Sequence, residues 1–285
     1  MNARPKKSFG QHFLHDRRYI DWIVSAVAPR ADDFMLEIGP GEGALTLPLL
    51  TAAGKLTAIE PDTDLIPDLQ ARAASVGELH IIHADVLKVD FSAMAHSHGV
   101  PRLRIAGNLP YYISSPILFH CVEHAAAIQD MHFMLQKEVV DRMAAEPGSK
   151  VYGRLSVMLQ LACRVEPLFD VPPEAFRPPP KVESSVVRLV PLQPHELHDA
   201  RPEHVYAVVK AAFGQRRKTL ANALKQLLDS DAIRRADVDP KARAERSPPP
   251  TSCGWPRSTP VFDVKMRFDH GGSAPFAAAG LTIRA

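Results

Sequence analysis

Cysteine is scarce in this chain and forms no pattern. Cys121, Cys163 and Cys253 are the three in 285 residues, and they lie far apart. With no CxxC and no Cys/His run, neither a disulfide framework nor a metal site is expected, and inert thiols in a reducing compartment fit the count. Long apolar runs are also missing: no stretch reaches the roughly 18 residues that a membrane-spanning helix needs. The start, Met1 to Phe9, is basic and polar and lacks the apolar centre of a secretory signal. A cytoplasmic protein without a membrane segment is the expectation. One further absence is local. The glycine-rich stretch Gly39-Pro40-Gly41-Glu42-Gly43 has no Gly-Lys-Ser/Thr after it, which excludes a phosphate-gripping P-loop. Its G-x-G-x-G spacing is not the G-x-G-x-x-G of dinucleotide binders.

What is present is enough for a substantial core. Hydrophobic residues make up 46% of the chain, and the length suits a large domain with a smaller companion. Asp16 is placed to cap a helix whose apolar residues Ile20, Ile23, Val24 and Val27 recur at helical spacing and stop before Pro29. Short apolar runs then alternate with helical patterns. Strands are expected over 34–38, 56–60, 79–84, 103–107 and 131–135, with a helix carrying Leu45, Leu47, Leu49 and Leu50 after the first. Alternation of this kind implies a parallel sheet with right-handed crossovers. Further on, 152–161 reads as a helix, and 164–169 and 184–189 as strands.

Four successive strand ends carry ligand-type groups: Gly39, Glu60, Asp85 and Asn108. In an open α/β sheet, ligands sit at the carboxyl ends of strands. The glycine turn lets backbone approach a ligand. Glu60, 21 residues after Gly39, is at the offset of an acid that accepts from ribose hydroxyls. Asp85 is suited to accept from a purine amine. Alone, each reads as readily as a turn or a helix cap; together they favour a nucleoside site. The fourth strand runs directly into Asn108-Leu109-Pro110-Tyr111. An amide, a carbonyl fixed by proline and an aromatic face within four residues suit a flat base bearing an exocyclic amine. Asn108, Pro110 and Tyr111 are therefore candidate catalytic residues. The flap-like stretch Arg4 to Leu14 is too apolar at Phe9, Phe13 and Leu14 for a free tail and reads as a cover over this site. Phe176, held between Pro172-Pro173 and Pro178-Pro179-Pro180, is expected to present its ring to a base; packing into the core is the alternative.

After Pro194 the texture becomes helical, over 204–213 and 219–228. Between these stand Arg216, Arg217 and Lys218. From Arg201 to Arg246 there are eleven Lys/Arg and six Asp/Glu, an excess of +5 in a chain whose net charge is +2. A basic helical segment on a mildly acidic body points to a polyanionic partner. The expected layout is an α/β domain over 1–195 with its flap, a helical domain with a phosphate-facing basic corner over 196–246, and an atypical stretch over 247–285.

Beyond the residues read one by one, whole motifs match a family. They are Gln11-His12-Phe13-Leu14, Glu37-Ile38-Gly39-Pro40-Gly41-Glu42-Gly43, Glu60, Ala84-Asp85, Asn108-Leu109-Pro110-Tyr111-Tyr112-Ile113-Ser114, Gln136-Lys137-Glu138-Val139, Tyr152-Gly153-Arg154-Leu155, Phe176-Arg177-Pro178-Pro179-Pro180-Lys181-Val182 and Arg216-Arg217-Lys218-Thr219-Leu220. In this order they resemble the bacterial ribosomal RNA adenine dimethyltransferases, as far as about Glu245. The resemblance implies an α/β, Rossmann-like S-adenosylmethionine-dependent methyltransferase domain with a smaller helical C-terminal domain. It implies S-adenosylmethionine as methyl donor, with His12, Leu14, Gly39, Glu60, Asp85 and Asn108 lining its site. Position 12 is often Asn in the family, so His12 is a variant. It also implies dimethylation of two adjacent adenosines in a 3′-terminal hairpin of 16S ribosomal RNA, within the immature small subunit, by a monomer.

The family then continues with an apolar helix, whereas this chain turns to Arg-Ser-Pro-Pro-Pro-Thr-Ser-Cys-Gly-Trp from Arg246. A reading-frame slip near Arg246 is the hypothesis for 247–285, and resequencing that shows one intact frame would remove it. Two other functions stay open on sequence. One is a DNA adenine methyltransferase, since related four-residue motifs serve both nucleic acids. The other is a subunit-assembly factor without catalysis.

Overall fold

The structure, a computed structural model, describes residues 12–193, 202–215 and 218–246. The stretch before His12, Arg216, Arg217, Cys253 and the whole of 247–285 lie outside the described residues. So the expectations for the basic pair and for the frame slip have no structural counterpart here. The described residues fall into two bodies: 12–193 with 244–246, and 202–215 with 218–243.

The first body is built on a sheet of seven strands. In chain order these are β2 (Met35–Ile38), β3 (Lys55–Ile59), β4 (Glu78–Ile82), β5 (Leu103–Asn108), β6 (Ile128–Gln136), β7 (Cys163–Val171) and β9 (Ser184–Pro191); β1 (Phe13–Leu14) and β8 (Phe176–Arg177) form a separate pair. The spatial order is β4-β3-β2-β5-β6-β9-β7. The first five strands are parallel, and β9 and β7 are antiparallel additions. The chain moves outward from β2 to β4, then returns to β5 on the other side of β2. That reversal opens a crevice at the carboxyl ends of β2 and β5.

The central parallel strands β2 and β5 are buried on both faces because helices cover both sides of the sheet, whereas the edge strands β4 and β7 are partly exposed. In β2, Leu36 and Ile38 join one apolar cluster while Met35 joins the other. Helices α1 (Arg17–Val27), α2 (Thr46–Ala53) and α3 (Ile66–Ala73) supply the second cluster; α4 (Phe91–Ser97), α5 (Ser114–Glu123), α6 (Lys137–Met143) and α7 (Arg154–Gln160) supply the first. Helix α1 starts where expected, with Asp16 accepting from the Arg18 N–H, and buries Ile20, Ile23 and Val27. Among the described residues no helix is long and apolar enough to cross a membrane. Cys121 and Cys163 are buried free thiols, and burial raises the pKa of both.

One buried polar network ties α1 to the sheet. The Arg104 guanidinium gives Nε and Nη2 to both carboxylate oxygens of Asp130, at 2.9 Å each. It also gives Nη1 to Asp33 at 2.6 Å and Nη2 to the Val27 carbonyl at 2.7 Å. One side chain thus holds the C-terminal end of α1, the turn after it and the strand β6.

Some element bounds differ from expectation. The strand expected over 131–135 extends to Ile128–Gln136, because its antiparallel partner β9 pairs it as far as Gln136. The helix expected over 219–228 is only Leu220–Ala223. The N–H groups of Leu220 and Ala221 are taken by the carbonyls of Ala242 and Pro240, and the chain beyond Leu224 turns rather than continuing. In the second body that short helix, α9, accompanies α8 (Pro202–Phe213) and α10 (Ser230–Arg235), and Val208, Val209, Leu224, Leu228 and Ile233 are buried.

Candidate active site

The crevice holds a cleft of about 850 Å³, counting its open mouth, lined by His12, Leu14, Glu37, Gly39, Glu60, Asn108, Pro110, Tyr111 and Tyr112 among others. It sits at the carboxyl ends of β3, β2 and β5, as the topology requires. Gly39 follows β2 with φ +70°, and its N–H reaches the Ile59 carbonyl at 3.0 Å. Nothing would meet a side chain at Gly39, so the backbone there borders open space. Gly107 is needed for a different reason. A Cβ there would lie 2.5 Å from the Ile38 carbonyl oxygen, so only glycine lets β5 run this close to β2 beneath the cleft.

Glu60 is buried at the end of β3. Its two oxygens accept from the Gly41 N–H at 3.1 Å and the Asp62 N–H at 2.8 Å. These bonds fix the carboxylate against the glycine turn, and each oxygen keeps a lone pair for a ligand hydroxyl. Burial raises its pKa. Asn108 ends β5. Its amide nitrogen donates to the His12 carbonyl at 3.2 Å, an orientation assigned from the bonding network, which leaves Oδ1 as the outward acceptor. The buried Leu109 next to it is pinned by its N–H to the Met134 carbonyl at 3.1 Å. The Pro110 carbonyl lines the same wall; it already accepts from the Ile113 N–H at 3.2 Å and has one lone pair left.

Tyr111 is held at both ends. Its hydroxyl is 2.6 Å from Ser184 Oγ, and its ring stacks against the His12 imidazole with centroids 5.8 Å apart and planes 27° apart. Burial raises the phenol pKa, and the Ser184 contact offsets part of the rise. His12 itself is fixed by Nδ1 to the Pro178 carbonyl at 2.8 Å. The flap is thus part of the wall. The β1–β8 ladder, with Leu14 opposite Phe176, carries Leu14 into it.

Two expected site residues are placed elsewhere. Phe176 is only 2% exposed and packs with Leu14, Tyr19, Ile20 and Val186. The expectation that it offers a ring to a base is corrected: its strand pairing with Leu14 turns the ring into the core. Asp85 is not part of the cleft wall. Strand β4 stops at Ile82, and the exposed Asp85 side chain accepts from the Leu87 N–H at 3.1 Å to cap a short turn. Burial, then the negative charges of Asp85 and Glu60, raise the pKa of the Tyr112 phenol. Lys218, on the second body, is exposed.

Two residues of the wall carried no role in the sequence reading. Tyr112 is 62% exposed at the mouth. Glu37 is 1% exposed, the third residue of a strand buried at all four positions. A carboxylate inside an otherwise apolar strand was a legible signal of a special environment.

A parallel sheet reversing at β2/β5, a backbone cradle at Gly39, a buried acid at the next strand end and an Asn-Leu-Pro-Tyr wall fit a nucleoside-bearing methyl donor. They define a Rossmann-like, S-adenosylmethionine-dependent methyltransferase. The family model described as "Ribosomal RNA adenine dimethylase" matches residues 2–253. The chain belongs to this family of ribosomal RNA adenine dimethyltransferases. It is 62% identical over 245 residues to "Ribosomal RNA small subunit methyltransferase A" of Xanthomonas oryzae pv. oryzae (strain PXO99A), covering 86% of this chain and 92% of that one. Identity to the protein of the same name from Xylella fastidiosa (strain 9a5c) is 58% over the same length. Among solved structures it resembles a dimethyladenosine transferase from Plasmodium falciparum, with TM-score 0.71 and 26% identity over 83% of this chain and 93% of that one. It also resembles the 23S rRNA methyltransferase ErmE, with TM-score 0.63 and 26% identity over 88% and 99% of the two chains.

Proposed function

We propose that this enzyme dimethylates two adjacent adenosines in a 3′-terminal hairpin of 16S ribosomal RNA, acting as a cytoplasmic monomer on the immature small subunit. The relatives named as ribosomal RNA small subunit methyltransferases support the choice of substrate. We place the catalytic domain at 1–195 and an RNA-binding domain at 196–246.

The observation that carries the chemistry is the orientation of Asn108. With its nitrogen committed to His12, its oxygen is the group that meets an incoming amine. An adenine amine is a poor nucleophile because its lone pair is delocalised into the ring. Acceptance of its two hydrogens by Asn108 Oδ1 and the Pro110 carbonyl favours a more tetrahedral nitrogen with the lone pair free. Tyr111 supplies a face for the base, held by Ser184. The target has to leave its stack to arrive there. When bound, S-adenosylmethionine supplies an electrophilic methyl group, held at Gly39, Glu60, Asn108, Leu14 and His12. Asp85 caps its turn through Oδ1, and its Oδ2 remains to accept from an amine of that ligand. Alignment of this kind contributes up to about 7–11 kcal/mol without a strong general base.

Methyl transfer from labelled S-adenosylmethionine should appear on immature small subunits and not on a duplex DNA oligomer. Label on the DNA, or none on subunits, would overturn the assignment. Replacing Arg216, Arg217 and Lys218 together by Ala should weaken RNA binding and reduce the log–log salt slope by about two to three. An unchanged slope would count against this corner as the phosphate contact.

A further inference from the structure

Tyr111 and Tyr112 are consecutive, yet their rings have opposite surroundings. Tyr111 is half-buried, with its hydroxyl on Ser184 of β9 and its ring against His12. Tyr112 lines the same cleft and is 62% exposed. The other large exposed aromatic among the described residues, Trp22 on α1, is not in the cleft wall.

The backbone that carries Tyr112 is fixed on both sides. The Ile113 N–H donates to the Pro110 carbonyl at 3.2 Å, and the buried Ser114 gives its hydroxyl to the Tyr111 carbonyl at 3.2 Å. Helix α5 starts directly after this turn. A rigid turn thus holds a flat, largely apolar ring out at the rim. A single exposed ring elsewhere on a surface needs no account. At the rim of a cleft that takes a nucleobase, it offers a face to whatever lies beside that base.

The charges nearby decide what kind of contact this is. Asp85 and Glu60 lie past the ends of β4 and β3, on the side of β5 away from Ser184, and their charges reach the Tyr112 phenol. Carboxylates there repel phosphate, so that part of the rim is a poor place to grip RNA by its backbone. A neutral ring still meets a base, because stacking needs a π-face and no charge.

We propose that Tyr112 is the stacking platform for the nucleotide next to the target, so that two consecutive tyrosines serve two consecutive bases, Tyr111 inside the cleft and Tyr112 at its rim. The inference rests on the reading of an RNA adenine as the target. A base that leaves its stack deprives its neighbour of a stacking partner as well, and the Tyr112 ring replaces it. Tyr112 is a positioning residue: it holds the strand with the target in the cleft and touches neither the amine nor the methyl group.

The test is single-turnover methyl transfer by the full chain, with saturating donor, resolved at each adenosine by mass spectrometry. The substrates are small subunits reconstituted with 16S RNA whose 3′-terminal hairpin is intact or has one of the two adjacent adenosines replaced by an abasic residue. On the intact hairpin, Tyr112→Ala should raise the subunit concentration for half-maximal rate about five- to 150-fold, the range of one base–aromatic stack. The maximal rate should stay within a few-fold. Tyr112→Phe should match wild type, since the ring and not the hydroxyl makes the stack. With one of the two abasic hairpins, Tyr112→Ala should have no further effect at the remaining adenosine, and which hairpin it is gives the side, 5′ or 3′, of the stacked neighbour. An equal loss on the intact and both abasic hairpins would overturn the proposal, and so would no loss on the intact one. Weaker binding of S-adenosylmethionine to Tyr112→Ala without RNA, read by isothermal titration, would overturn it by assigning the ring to the donor. No methyl transfer by wild type to the intact hairpin would overturn the RNA reading itself.

Discussion

Asn108→Ala is expected to reduce single-turnover methyl transfer by about a hundredfold or more, the scale seen when one preorganised hydrogen-bonding group is removed from a reacting centre. RNA affinity should change little, since the residue is a half-buried wall position at a strand end. The loss has two parts. The methyl side chain offers no acceptor to the adenine amine, and it also frees the His12 carbonyl that the amide now holds at 3.2 Å. Asn108→Asp separates them: it restores an acceptor but not the donor to the flap, and it adds a negative charge beside the cleft. Quenched-flow measurement with saturating donor and subunits reads the chemical step directly. Turnover by the alanine variant within a few-fold of wild type would remove Asn108 from the mechanism.

The second large effect is on stability. Arg104→Ala is expected to cost about 3–5 kcal/mol, the usual consequence of breaking a buried charge network from one side. The side chain is only 9% exposed, and its carboxylate partners Asp33 and Asp130 are 12% and 5% exposed. Removing the guanidinium leaves both acids, and the Val27 carbonyl, buried without their main donor. The penalty is that of the stranded charges, not the net worth of the intact network. Urea denaturation of wild type and variant reads it as a shift in midpoint. Arg104 lies near the start of β5, the end opposite Asn108, so the folded variant should keep its donor affinity. A stability loss below about 1 kcal/mol would mean that the two acids find water or other donors once the arginine is gone.

The parallel sheet was legible because its signal is redundant. Apolar runs of strand length, separated by helical periods, leave few arrangements, and the strand-end groups Gly39, Glu60 and Asn108 then fall at one edge by topology. Asp85 and Phe176 show the limit of that reasoning. Both stand at motif positions, but where a side chain points is decided by contacts distant in sequence. Phe176 is turned inward by pairing with Leu14, and Asp85 is engaged by a turn three residues past its strand. Arg104 was hidden for a related reason: its partners Asp33 and Asp130 are 71 and 26 residues away. A charge within an apolar run was a cue, as at Glu37, but one that did not name its partners. Glu37 was visible as an oddity, but Ala58 and Ala106 become its neighbours only through strand register.

The flap's hold on the Asn108 nitrogen has a consequence for how the reaction ends. With that donor occupied, the groups proposed to face the amine are acceptors only, and an acceptor-only grip counts hydrogens. Unmodified adenine presents two N–H groups to it, the monomethylated base one, and the dimethylated base none. Each transfer therefore removes one handle by which the base is held. On the proposed mechanism the site retains its intermediate less firmly than its substrate, and keeps only the Tyr111 face, without a hydrogen bond to the amine, to hold its product.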